Sequence, residues 1–411
     1  MRRSRHYVPV TRRAFVGTLA ATMLGASLRP GEAQPAGEAD PGPRLSLLLQ
    51  EFDRQGTHRT GSRGDLVSGQ WLTTELQRWR VSATLEPFTF PRTDITNAYL
   101  QLRERRIDGL PLFDAPFTDD LGVVGRLGTA EANTEIVVVE STSPAWPPLR
   151  RTTKSGGIVL LTIGARPGLR AADAPDYASP VGVPVLQVSS EEAAALRDEA
   201  AKGSGVRLVV DAKRVPGEAV NLVARIRGRD ASAPPLVVCA SRSAWWRATS
   251  ERGGALVCLL DVGRALSFAR PLRDCVLLAT SGGEIGGPGL QAAIAKHPEW
   301  LEAHAWLCLG PNLGAKERSA RVLQATDAAL ATLVREAAAA ADVTLQDVPA
   351  DEPLGGDAQR LPASVKRVQL AASGNPHRGL ASDRWPEAVA ASALAAEAGI
   401  AVQVARKLAL S

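Results

Sequence analysis

From about residue 220 onward the chain alternates short, continuously apolar runs with stretches of helical period, and this alternation constrains the fold more than any other feature. The runs fall at 220–226, 236–240, 275–280, 305–309 and 368–371, and helix-spaced apolar residues cover 253–268, 289–296, 327–341 and 386–408. Strands without polar alternation are buried on both faces. Separated by helices, they predict an α/β chain: a three-layer sandwich with a mostly parallel central sheet. In such sheets functional groups collect in the loops beyond the carboxyl ends of the strands. The residues following Ala240, Thr280, Leu309 and Leu370 are therefore the candidates for chemistry.

The earlier chain divides differently. Helical spacing recurs over 44–54 and 65–79, and 81–90 reads as a strand. Residues 91–215 are richer in proline, with short β-type runs at 134–139, 157–161, 183–188 and 206–210 and one helix at 191–201. The expectation is a β-rich insert over 91–215 within a discontinuous α/β domain formed by 44–90 and 216–411. Before it, a Pro/Gly/Glu linker occupies 34–43, and residues 1–33 combine a basic region, Arg12-Arg13 and a short apolar run. That segment resembles a bacterial twin-arginine export signal, which implies a periplasmic or secreted protein.

Charge and cysteine usage narrow the function classes. The whole chain has a net charge of +5, but residues 1–33 hold six arginines and one acid, so without them 42 basic and 42 acidic side chains remain. A balanced chain gives no support for a nucleic-acid partner. No later run reaches membrane-spanning length, so no span is expected in the mature chain. Cys239, Cys258, Cys275 and Cys308 lie in or beside apolar runs with no Cys-x-x-Cys spacing, and read as free buried thiols.

An ordered set of motifs then carries a resemblance. His58-Arg-Thr-Gly-Ser-Arg-Gly64, Gly157-Ile-Val-Leu-Leu161, Val181-Gly-Val-Pro-Val-Leu-Gln-Val-Ser-Ser190, Asn221-Leu-Val-Ala-Arg-Ile-Arg-Gly228 and Thr280-Ser-Gly-Gly-Glu-Ile-Gly286 follow one another at the separations found in the zinc exopeptidases of metallopeptidase family 28. The chain is similar to the aminopeptidase group of that family over nearly its whole mature length. The resemblance implies that 91–215 is a protease-associated domain. It also implies a site with two zinc ions held by His, Asp and Glu, and a glutamate base that activates the bridging water.

Matched position by position, the residues of that site are largely replaced. The first His falls on Ser241, the bridging Asp on Ser250, the base on Gly283, the next Asp on Gly310 and the last His on Gly379; only Glu284 keeps a ligand's residue type. The resemblance thus implies the fold without catalysis: no catalytic residue, no metal, no cofactor, and a role in binding a peptide or protein. The candidate lining of the degenerate cleft is Ser241, Arg242, Ser243, Trp245, Trp246, Ser250, Glu251, Glu284, Asn312, His377 and Asp383.

Other readings stay open at this level. Glu251, His377 and Asp383 lie one or more residues from ligand positions, so a rearranged zinc site would make the protein an active metallo-aminopeptidase. Ser241 or Ser243 with His377 could form a hydrolase pair, although no Gly-x-Ser-x-Gly elbow supports it. Glu284 is expected either to be capped locally or to face Arg242. His377 reads as an exposed loop residue, Trp245 and Trp246 as one core and one lid residue, and Asp261 with Arg264 as a solvated helix face. The glycine-rich 281–289 run lacks the ending of a phosphate-binding loop.

Overall fold

The computed structural model describes residues 40–411 except Arg318. The signal expected over 1–33 and most of the linker lie outside the described residues.

The central sheet follows from the apolar runs. Strands Cys275–Thr280, Leu236–Ser241, Ala305–Leu309 and Arg367–Ser373 lie side by side in parallel. Ala320–Ala325 adds on antiparallel beyond the last of these, and Gly205–Ile226 antiparallel beyond the first. Alternate residues serve opposite layers. Leu236, Val238, Leu277, Ala279, Leu307 and Leu309 pack under one set of helices, while Val237, Cys239, Val276, Leu278, Trp306 and Cys308 pack against Trp300 and Leu290 on the other. Two buried layers explain why these strands show no polar alternation.

Helix Gly254–Ser267 is apolar nearly all round because twelve of its fourteen residues are buried. Helices Gly42–Arg54, Arg63–Arg78, Ala328–Ala340 and Ala391–Leu410 share its core. Asp261, expected on a solvated face, is buried instead, and its carboxylate pairs with Arg44 and Arg264, each at 2.9 Å. The last helix begins at Ala391 rather than 386. The preceding segment is held as a loop by Asp53, which accepts the Arg384 guanidinium at 3.1 Å and the Trp385 N–H at 3.2 Å.

The runs at 206–210 and 220–226 merge into the single strand Gly205–Ile226, paired along its length with Ala83–Leu102. This ribbon passes straight through positions 90/91 and 215/216, so one continuous sheet joins the two regions. Beyond it, Val123–Thr129, Ile136–Glu140, Gly157–Thr162 and Val185–Ser189 form a parallel set with its own core, including Leu127, Val159, Leu161, Leu186 and Leu196. The strands Val123–Thr129 and Ala320–Ala325 have no counterpart in the sequence reading, since each carries only a few apolar residues. All four cysteines are free and buried. Among the described residues no helix is long and apolar enough to cross a membrane.

Candidate functional site

The four parallel strands present their carboxyl ends on one edge, where the loops after 241, 280, 309 and 373 converge. Glu284, fully buried, is met by three donors. Its Oε1 accepts the Thr60 backbone N–H at 2.8 Å and the Thr60 hydroxyl at 2.6 Å, and its Oε2 accepts the Ser243 hydroxyl at 2.6 Å. Ser243 Oγ in turn accepts the Gly282 N–H at 2.7 Å. The carboxylate therefore clamps the 58–64 motif to the 281–286 loop.

Arg242 does not pair with Glu284. Its guanidinium turns beneath the sheet edge to Asp65, at 2.9 Å, and donates to Ser68 Oγ at 2.7 Å and to the carbonyls of Asp65 and Val220. Helix Arg63–Arg78 presents Asp65 in its first turn, with Ser62 as the N-cap, so the acid nearest Arg242 comes from a part of the sequence that looked like ordinary helix start. His58 is buried beside it, stacked on Phe52 with ring centres 3.8 Å apart, and its Nδ1–H donates to the Arg247 carbonyl at 2.7 Å. Burial holds its pKa down at about 3.

A second network joins the 248–251 turn to the 375–383 loop. Asp383 Oδ1 accepts the Ser250 N–H at 2.8 Å and hydroxyl at 2.6 Å, and Oδ2 accepts the Glu251 N–H at 2.9 Å. Burial pushes Asp383 up to about 7, with the Ser250 hydrogen bonds pulling against it. Asn375 bridges Ser250 Oγ and Asn312 Oδ1, both at 2.9 Å. His377 is 2% exposed, not a solvated loop residue. The Asn375 side chain accepts its backbone N–H at 3.0 Å and folds the loop inward. Its Nδ1 lies 3.4 Å from Ser382 Oγ, so neither Ser241 nor Ser243 is its hydroxyl partner. Trp245 is buried and stacked on Phe113 at 4.0 Å, while the partly buried Trp246 donates its indole N–H to the Gly379 carbonyl at 2.9 Å.

At three of the matched positions the glycine leaves little room for a side chain. A Cβ on Gly283 would stand 2.2 Å from Ser241 Oγ and 3.8 Å from Arg252 Nη2. A Cβ on Gly310 would stand 2.5 Å from Gln369 Nε2. Gly379 has φ +72°, and a Cβ there would lie 2.8 Å from the Ala171 carbonyl oxygen. Arg252, buried, also sits 3.2 Å from Glu251 Oε1, so a guanidinium lies near Gly283. Sequence reading missed Thr60, Asp65, Arg252, Gln369 and Asn375; Thr60 stands inside the 58–64 motif without having been singled out, and the other four lie outside the quoted motifs.

These residues do not fit zinc. Glu284 and the nearby Asp383 each have both carboxylate oxygens engaged by protein donors, and zinc needs three or four imidazole, thiolate or carboxylate ligands. Among the described residues no group of three or more His, Cys, Asp or Glu side chains is placed to hold a metal ion.

Chain order, sheet and the loop edge together define an aminopeptidase-like fold. The chain is similar to a zinc aminopeptidase from Bacillus subtilis at 14% identity and a TM-score of 0.71, covering 89% of this chain and 94% of that one. It is equally similar to a family-28 peptidase precursor from Shewanella amazonensis, at 16% identity, TM-score 0.71 and coverage of 90% and 96%. An Aneurinibacillus aminopeptidase gives 13% identity, TM-score 0.68 and coverage of 90% and 94%. No family profile and no curated protein matches the sequence.

Proposed function

We propose that this protein is a non-catalytic member of the aminopeptidase-like fold that binds peptide or protein ligands through its degenerate cleft. The observation that carries this reading is the filling of the vacated positions: Ser241 Oγ stands in the space of a side chain at 283, and Gln369 in that of one at 310. A base cannot be a glycine, and a guanidinium in the same few ångströms opposes a dication. We read 91–215 as a protease-associated-like insert that supplies part of the cleft wall, and the N-terminal segment as the signal that exports the chain to the periplasm or beyond.

The test is elemental analysis of mature protein dialysed against zinc, alongside hydrolysis of aminoacyl anilides. The expected result is below about a tenth of an equivalent of zinc and no metal-dependent turnover. Stoichiometric zinc with turnover, abolished by Glu284→Ala and by His377→Ala, would establish an active metallo-aminopeptidase with shifted ligands instead.

A further inference from the structure

The central sheet is left open at one edge. Beyond Ala320–Ala325 it is continued only by Gln346–Asp347, two residues paired in parallel with Val322 and Leu323. The Val348 N–H still reaches the Leu323 carbonyl at 2.9 Å, and the chain then turns at Pro349, whose carbonyl accepts the Glu352 N–H at 3.1 Å. On the other side, the Thr326 N–H donates to the Arg367 carbonyl at 3.0 Å. Backbone groups alternate in direction along an antiparallel strand, so the N–H and C=O of the preceding Ala325 point outward, past the end of the short strand. Among the described residues nothing pairs with them.

A cavity of about 810 Å³ lies against this edge, bounded by Ala325, Thr326 and Arg367 and by residues 350–353 and 359–361. The Ala325 side chain packs into the core beneath the helices, so it is backbone that Ala325 offers to the cavity. The boundary is fixed before anything binds. Gln324 Nε2 donates to the Pro349 and Glu352 carbonyls at 2.6 and 2.7 Å, and the Arg360 guanidinium to the Gly356 and Gly283 carbonyls, each at 2.8 Å. Arg367 Nη1 donates to the Pro362 carbonyl at 3.0 Å. Both guanidiniums are therefore engaged by carbonyls, whereas Asp351 and Glu352 are exposed and form no ion pair among the described residues. The unmatched charge is negative.

An outward N–H and C=O on a strand edge are the complement of another extended backbone, and a preformed boundary keeps the ordering cost of adding one small. We infer that an extended segment of a partner protein, carrying a lysine or arginine, adds to the sheet at Ala325, its backbone paired there and its cation set against Asp351 and Glu352. None of the candidate cleft residues borders this cavity, so the inference stands or falls apart from the non-catalytic reading above.

The test is calorimetric titration of the full mature chain with the extended probe acetyl-Thr-Val-Lys-Val-Thr-amide and with the same peptide carrying Glu in place of Lys, alongside amide hydrogen exchange. The lysine peptide is expected to saturate one site below about 1 mM and to slow exchange of the Ala325 amide by at least about tenfold. Ala325→Pro, which removes the outward N–H and leaves the pairing with the neighbouring strand intact, should weaken binding about tenfold with an unchanged melting temperature. The glutamate peptide should bind severalfold more weakly, and the Asp351→Lys, Glu352→Lys double variant, with both changes on exposed side chains, should reverse the preference. No saturable binding, binding indifferent to Ala325→Pro, or a preference that fails to reverse overturns the inference. So does concentration-dependent self-association that protects the Ala325 amide, which would assign the edge to a second copy of the chain. Zinc content and turnover bear only on the reading of the cleft.

Discussion

The filling of the space beside Gly283 can be measured as a coupling energy. Gly283 has an ordinary negative-φ backbone, so an alanine there is not strained by conformation and gains several tenths of a kcal/mol from a less disordered unfolded chain. Against this stands a Cβ placed 2.2 Å from Ser241 Oγ, more than an ångström inside normal contact, in a region where both residues are buried. Gly283→Ala should therefore destabilise by about 1–3 kcal/mol, the usual cost of overpacking. Ser241→Ala removes the offending atom, and because that hydroxyl has no hydrogen-bond partner, the single change should be nearly neutral. In the double variant the nearest remaining atom is the residue-241 Cβ at 3.3 Å, a tight but tolerable contact. Most of the loss should then return, a favourable coupling of about 1–2 kcal/mol. Guanidinium unfolding with unchanged m-values reads all four corners of the cycle. Additivity within about 0.5 kcal/mol would refute the claim that Ser241 occupies the side-chain space beside Gly283.

Two further outcomes follow from the buried charges. Burial pulls the Asp65 carboxyl up and the Arg242 guanidinium down, so each depends on the other, and Arg242→Met should cost about 3–5 kcal/mol by stranding Asp65; the Arg242→Met, Asp65→Leu double variant should recover much of that in the same unfolding assay. His58 stays neutral in the folded protein to about pH 3, while in the unfolded chain it takes up a proton below about 6.5. The unfolded state binds more protons in that window, so His58 makes stability fall as pH drops from 6.5 toward 3. His58→Gln should lessen that fall in unfolding measured across the window, and an unchanged slope would count against the buried neutral imidazole.

Much of the fold was legible because it depends on local pattern. The runs at 236–240, 275–280 and 305–309 became strands with bounds nearly as expected, and the topology put their ends on one edge. The strand Val123–Thr129 was not legible, because its place is set by pairing with Gly205–Ile226 rather than by its own hydrophobicity. The site divided in the same way. The residues standing at 241, 250, 283, 310 and 379 could be read directly, and so could the poverty of ligands among them.

Which groups lie around those positions could not be read. Arg242 and Asp65 are 177 residues apart, Glu284 and Thr60 are 224 apart, and Asn375 and Ser250 are 125 apart. Sequence by itself determined the layered α/β chain and which residue types stand at the matched positions, since apolar period and side-chain chemistry are properties of short segments. Only the tertiary structure decided that His377 and Asp261 are buried, that Arg242 turns away from Glu284 to Asp65, and that Ser241 and Gln369 lie against Gly283 and Gly310. The physical reason is that a buried polar group must find a partner wherever the fold brings one, and that meeting is fixed by packing across the whole chain.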